Sequence, residues 1–326
     1  MSRSSEAMRA AAKRTIPESW LTAAKICRHY LKRFSSRRTV LNIDVADCNL
    51  WCSMCPNNEA LALRRKKKPL MDYGLFARIV DKICAERVRF RSIWFGNWGE
   101  SLLNPALADM IRYAKERMPG TETVVFTNLN VLKDPGGLVG SGLDHIAVSI
   151  SGMTQEVYAR NHCNGNIAVV LENVRSLIRA RSQQKRTMRI RLRYHSYLYN
   201  AHEEQAARAF CAENGLEFER VRCFIPGVEA SAAYHKDKQR WGAYYSRFID
   251  LEQEERCMTT LPDHRICPML NDQVAIDTDG RLYRCCAVYA ESNLLGSIFD
   301  QPIRRIHEIK SPICLVCAKT PVSWRW

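Results

Sequence analysis

The stretch TVLNIDVADCNLWCSMCP, Thr39 to Pro56, runs a short strand-like pattern straight into a loop that carries Cys48, Cys52 and Cys55. The spacing is Cys48-x3-Cys52-x2-Cys55. A structural zinc site takes four ligands, and a disulfide framework takes an even number of cysteines. Three thiolates at this spacing suit a four-iron cubane with one iron left for another ligand. A zinc site completed by a distant residue is the alternative.

Outward from this loop, strand-like and helix-like segments alternate. Strands are predicted over Thr39–Val45, Arg91–Phe95, Glu122–Thr127, His145–Ser151, Met188–His195 and Glu217–Ile225. Helices are predicted over Asp72–Ala85, Pro105–Arg117, Thr154–Asn161 with Asn166–Arg181, and Ala201–Asn214. Six βα units imply a parallel α/β sheet, either open and doubly wound or a partial barrel. A long polar helix is expected over Glu229–Arg256, followed by a separate cysteine-rich segment.

Strand parity says which side chains reach the chemistry. In Met188–His195, Ile190, Leu192 and Tyr194 point one way, and Arg189, Arg191, Arg193 and His195 the other. With helices outside, the apolar set faces them and the arginines face the lumen. By the same parity Ser149 and Ser151 point inward. Parallel α/β folds place their chemistry at the C-terminal ends of the strands, where the cysteine loop also lies.

Composition fits an ordinary soluble globular chain: 326 residues, 46% hydrophobic and 25% charged. No apolar run is long enough to span a bilayer and no signal-peptide pattern opens the chain, so a cytoplasmic location is expected. There, fourteen cysteines point to metal or cluster ligation rather than disulfides. The net charge of +15 is concentrated: residues 1–38 hold ten Lys/Arg against two Glu, and Arg64–Lys68 adds five cations. That is not a nucleic-acid coat, and no nucleic-acid partner is expected. Trp20, Ala24, Cys27, Leu31 and Phe34 recur at helical spacing, so a basic N-terminal helix docked on the body is predicted.

The cysteine triad after the first strand of a βα series resembles the signature of the radical SAM superfamily, over nearly the whole chain past residue 38. The resemblance implies a partial (β/α)6 TIM-like barrel. It implies a [4Fe–4S] cluster on Cys48, Cys52 and Cys55, with S-adenosylmethionine on the open iron. Trp98-Gly99-Glu100 resembles the family's Gly-Gly-Glu turn, with Trp98 in place of its first glycine and Ser101 in place of a frequent proline. The resemblance further implies SAM contacts from Gly99, Glu100, Asn128 and Ser149, an adenine cover from Met54, and a carboxylate partner in Arg191 or Arg193. Ser151 stands where many peptide-modifying relatives carry Asp.

The second cysteine-rich stretch has the spacing Cys267-x12-Gly280-x4-Cys285, then Cys314-x2-Cys317, around an Asp279-Gly280 hairpin signal. It resembles the SPASM auxiliary-cluster segment in its shortened Twitch form. Cys267, Cys285, Cys314 and Cys317 would hold a second, closed [4Fe–4S] cluster; Cys286 is an alternative to Cys285, and a zinc ribbon is the competing reading. The domains expected are a basic N-terminal helical extension over 1–38, the barrel over 39–226, a linker helix over 227–256 and the Twitch-type auxiliary domain over 257–326.

The resemblance implies hydrogen-atom abstraction from a carbon of a small polar substrate, of sugar, aminocyclitol or nucleotide-sugar type, ending in oxidation or epimerisation. The lumenal arginines add an expectation of acidic groups on it. Cys223, near the end of the sixth strand, is the candidate hydrogen-atom donor for an epimerase, and Cys257 the second. A peptide-modifying maturase is the alternative enzyme, and a basic Zn/Fe–S binding module the alternative of another class. A flavodoxin- or ferredoxin-like electron donor is expected, docked through Arg64–Lys68.

Overall fold

The computed structural model describes residues 37–55, 69–260, 267, 273–288, 291–309 and 311–323. The predicted N-terminal helix with Cys27, and the Arg64–Lys68 run, lie outside the described residues. Six parallel strands form in chain order: β1 Arg37–Ile43, β2 Arg89–Phe95, β3 Glu122–Thr127, β4 His145–Ile150, β5 Arg189–Ser196 and β6 Glu217–Arg222. The helices between them are α1 Tyr73–Ala85, α2 Leu107–Arg117, α3 Pro135–Gly140, α4 Gln155–Ala159, α5 Ile167–Gln183 and α6 Glu204–Glu213.

Each element follows from its residues. Asp72 starts α1 by accepting from the Leu75 N–H, and Asn166 starts α5 by accepting from Ala168 and Val169. Phe76, Ile79, Val80 and Ile83 form the buried stripe of α1. They meet Leu41, Ile43, Ile93 and Phe95 from the sheet in one continuous core. Each such side chain, fully buried, contributes about 1.5–3 kcal/mol. Strand β5 alternates as its sequence says: Ile190, Leu192 and Tyr194 are buried toward the helices, and the arginines between them are half-buried or exposed.

The sheet is open and continues past β1. Its order is β6-β5-β4-β3-β2-β1-β7-β8-β9, with β7 Gln273–Ile276, β8 Arg281–Tyr283 and β9 Leu294–Ser297. β7 pairs parallel with β1, Ala275 beside Asn42, and β8 and β9 then run antiparallel. The β7–β8 turn has Gly280 at φ +75°, a left-handed conformation glycine adopts without a Cβ penalty. The hairpin thus extends the barrel sheet.

Three expectations need correction. The helix predicted over Glu229–Arg256 is three helices, α7 Gly227–Lys236, α8 Lys238–Tyr245 and α9 Leu251–Cys257. Asp237 and Asp250 break it by capping new starts, accepting from the Arg240 and Gln253 N–H groups. Nor is it a polar linker: Tyr234, Trp241, Tyr245 and Phe248 are buried in a second core with Met54, Tyr197 and Cys223. Strand β6 stops at Arg222 because the Ile225 N–H goes to the buried Glu254 carboxylate instead of the ladder. Helix α3, which sequence periodicity does not signal, is started by Asp134 and a Pro at its first position. Among the described residues, no helix is long and apolar enough to cross a membrane.

Candidate active site

A cavity of about 740 Å³ runs from the C-terminal mouth of β1–β6 down the lumen. Cys48, Cys52 and Cys55 line its upper wall on the loop after β1. That loop is held from two sides. The Ser53 N–H donates to the Asn161 carbonyl (2.9 Å) and the Met54 N–H to Asn161 Oδ1 (3.1 Å). From the other side the Tyr244 hydroxyl of α8 donates to the Ser53 carbonyl (2.6 Å). Helix α8 therefore clamps the cysteine loop.

The turn at 96–100 packs beneath the loop. Asp44 accepts from the Trp98 and Gly99 N–H groups at 2.9 and 3.1 Å, and the Glu100 N–H donates to the Asp47 carbonyl. A Cβ on Gly99 would collide with the Ala46 carbonyl oxygen, so this approach needs glycine. Glu100 is buried, and its carboxylate accepts from the Thr127 hydroxyl (2.8 Å) and from the Asn128 (2.7 Å) and Leu102 N–H groups. Burial pushes its pKa up to about 7 against these donors. The side chain thus ties this turn to the end of β3. Asn128 Nδ2 reaches Asn49 Oδ1 (3.0 Å), on the cysteine loop.

Met54, Gly99, Glu100, Asn128, Ser149, Arg191 and Arg193 all line the cavity. Ser151 does not: it is fully buried, its hydroxyl bonded to the Tyr158 carbonyl and to His162 Nδ1 (2.6 Å). The arginines reach the lumen already partnered. Arg191 bridges to Glu217 (2.9 Å) and Glu219 (3.3 Å), Arg193 to Glu219 (3.1 Å), and Arg189 pairs with Glu122. Arg193 also lies 5.1 Å from the Phe126 ring centre, and Phe126 packs edge-on against Trp94. These carboxylates remove the charge argument for an acidic substrate. The sequence signal for them is Glu217-x-Glu219, at strand period on the strand after Arg191-x-Arg193.

Two histidines of the wall are further functional candidates: strand parity points His195 inward without assigning it a role, and no sequence signal marks His162. His195 and His162 line the cavity with rings 6.2 Å apart. Burial lowers the pKa of His162 to about 3 and that of His195 well below 6.5, so both rings are neutral. His195 Nε2 is buried without a hydrogen-bond partner, and its Nδ1 faces Cys223 Sγ at 3.8 Å. Cys223 comes just after the end of β6, is buried behind His195 and Tyr197, and does not line the cavity. Cys257 ends α9 and does not line it either.

The three loop cysteines fit a cluster by donor chemistry. They are half-buried and within electrostatic reach of one another. Burial pushes the Cys48 thiol up to about 12 and raises Cys52 as well; bound iron deprotonates such thiols outright. Among the described residues, no three His, Cys, Asp or Glu side chains are drawn in tightly enough for one metal ion. The larger body of a cubane spreads its thiolates farther apart.

The second set also converges. Cys285, Cys314 and Cys317 pack around Val228, Val288 and Ile313, and Cys267 is within electrostatic reach of Cys317. Burial raises the Cys285 thiol to about 11 and that of Cys317 to about 12. The buried Arg284 guanidinium bonds to Cys314. Cys286 is turned elsewhere, its thiol on Gln273 Oε1 at 2.6 Å. None of the four lines the cavity.

Residues 43–190 match the family model described as Radical SAM superfamily. The chain is 29% identical over 154 residues to GTP 3′,8-cyclase of Rhodococcus opacus, covering 47% of this chain and 43% of that protein. It is 28% identical over 141 residues to the tungsten-containing aldehyde ferredoxin oxidoreductase cofactor-modifying protein of Pyrococcus furiosus, covering 42% and 37%. The chain thus spans less than half the length of these curated relatives. Among solved structures, SuiB of Streptococcus suis bound to S-adenosylmethionine superposes with a TM-score of 0.60 at 14% identity, over 89% of this chain and 69% of that one. Native anSMEcpe with bound AdoMet superposes at 0.57 and 14%, over 86% and 83%. At such identities the likeness is one of fold.

Proposed function

From the match of residues 43–190 to the Radical SAM superfamily model, we propose that this chain is a radical SAM enzyme that abstracts a hydrogen atom from a carbon of a small polar substrate and completes an oxidation. When bound, a [4Fe–4S] cluster with S-adenosylmethionine supplies a hydrogen-abstracting 5′-deoxyadenosyl radical. Cys48, Cys52 and Cys55 would hold that cluster. Met54, Gly99, Glu100, Asn128 and Ser149 are the proposed cofactor contacts, with Glu100 acting by holding the 98–100 turn in place. The Arg193–Glu219 and Arg191–Glu217 pairs leave the lower lumen polar with its charges compensated. Such a wall favours a hydroxylated or amino-substituted substrate over a polyanion.

The observation that carries oxidation is the second set, Cys267, Cys285, Cys314 and Cys317, gathered outside the cavity. Four thiolates leave no open iron for a substrate. Oxidation of an alcohol would then balance: the alcohol gives up one hydrogen atom and one proton, and a cluster held by Cys267, Cys285, Cys314 and Cys317 would supply the acceptor for one electron. An epimerase needs a thiol in the cavity, and Cys223 sits behind His195. Turnover in D2O decides between them: oxidation yields a product two mass units lighter, and epimerisation one that carries a solvent deuterium. The deuterated product, lost in Cys223→Ala, would overturn this reading.

A peptide substrate is the second reading. Trp51, Leu198 and Phe224 are exposed apolar side chains on loops that follow β1, β5 and β6 at the same mouth. For electron supply we propose docking of an acidic flavodoxin- or ferredoxin-like protein on Arg64–Lys68. Changing those five residues to Gln should slow flavodoxin-driven turnover and flatten its salt dependence, with dithionite-driven turnover unchanged.

A further inference from the structure

The turn that frames the cavity also touches the backbone of the second cysteine set. Trp98 Nε1 donates to the Cys286 carbonyl at 2.9 Å, and Asn97 Nδ2 to the same oxygen at 3.0 Å. The Trp98 ring stands edge-on to Tyr283 at 5.2 Å, which fixes its direction. That carbonyl belongs to the Cys286–Ala287 peptide unit. The N–H of the same unit, on Ala287, donates to the Cys285 sulfur, as do the Val288 N–H and, at 3.9 Å, Asn293 Nδ2. One peptide thus takes two hydrogen bonds at its oxygen and gives one, from its nitrogen, to a sulfur of the second set. Hydrogen bonds in such a chain polarise one another and strengthen by roughly 10–30% each. Hydrogen bonds to cluster sulfurs are among the factors that set reduction potential, because they stabilise the more negative, reduced state.

We propose that Trp98 and Asn97 are positioning residues that raise the reduction potential of the auxiliary cluster, acting through the Cys286–Ala287 peptide on Cys285. This rests on the reading that Cys267, Cys285, Cys314 and Cys317 hold that cluster. It gives a physical role to the tryptophan that stands in place of a glycine beside Gly99. It also links the cavity to the electron acceptor, because Asn97 lines the cavity: a substrate group that engages the Asn97 amide alters one of the two donors.

The test is an EPR-monitored redox titration of the reconstituted protein and of Trp98→Phe, which keeps the ring against Tyr283 and removes the N–H. Added S-adenosylmethionine shifts only the signal of the Cys48/Cys52/Cys55 cluster, so the two signals are separable. Trp98→Phe should leave the iron content and the first cluster's potential unchanged. At fixed ambient potential it should lower the reduced-to-oxidised ratio of the auxiliary cluster about threefold, ~30 mV at about 59 mV per decade. Asn97→Ala, which removes the other donor to the same oxygen, should act in the same direction, and it carries the test if Trp98→Phe loses iron. Two clusters with an unchanged auxiliary potential in both variants would overturn this inference alone. Wild-type protein that holds only one cluster would overturn the four-cysteine reading and this inference with it.

Discussion

The two cysteine sets are built by opposite means. Cys48, Cys52 and Cys55 come from one short loop, at the end of a strand that the sheet buries on both sides. Cys267, Cys285, Cys314 and Cys317 come from separate segments around a small apolar cluster. The first set faces a large cavity and the second does not. A local set can leave a coordination position open toward a substrate. A set assembled by packing would close on itself, as the electron-accepting cluster proposed above requires. The Trp98–Cys286 contact joins them.

The strongest way to break this comparison is at the loop. Replacing Cys48, Cys52 and Cys55 with Ala should abolish cleavage of S-adenosylmethionine, measured as 5′-deoxyadenosine, and remove about half of the iron, because the second set supplies its own ligands. The converse change, Cys314→Ala, should also halve the iron yet keep cleavage within a few-fold of wild type while product formation stops. Cleavage lost in both variants would mean the sets are not separate in function.

Smaller effects sharpen the picture of the cavity wall. Gly99→Ala puts a methyl into the Ala46 carbonyl, and should cost about 3 kcal/mol in chemical denaturation through forced backbone movement. His145 lines the lower lumen with its Nε2 unpartnered. Burial, then the charges of Arg191 and Arg189, lower its pKa from the usual 6.5 to about 4. The unfolded chain therefore takes up this proton first as pH falls. The stability is fully present above about pH 6.5 and is lost toward pH 4. His145→Gln should flatten that slope by about 2 kcal/mol. Least of all, Tyr244→Phe removes the hydrogen bond from α8 to the Ser53 carbonyl and should cost about 1 kcal/mol. It should also raise KM for S-adenosylmethionine with little change in kcat.

The order of strands and helices is legible in the sequence because periodicity is a local property. In β5 the alternation of Ile190, Leu192 and Tyr194 with three arginines marks both faces of the strand. What those arginines do is not legible, because their partners Glu217 and Glu219 lie on the next strand and their pairing depends on register. The region from Gly227 to Cys257 is opaque for a related reason. Its charged residues mark a solvated face, and the aromatics Tyr234, Trp241 and Tyr245 look scattered along the chain until three short helices fold them over the cysteine loop.

By itself the sequence determined the cysteine triad, the βα rhythm that puts it at the strand ends, and the spacing of the four later cysteines. Ligand spacing within one loop and hydrophobic period within one element need no long-range information. Only the tertiary structure decided that β7 joins β1, that Cys286 offers its carbonyl while Cys285 offers its sulfur, and that Cys223 stands behind His195. Each depends on which distant backbone a segment packs against, and adjacent residues such as Cys285 and Cys286 differ only in the direction that packing gives them.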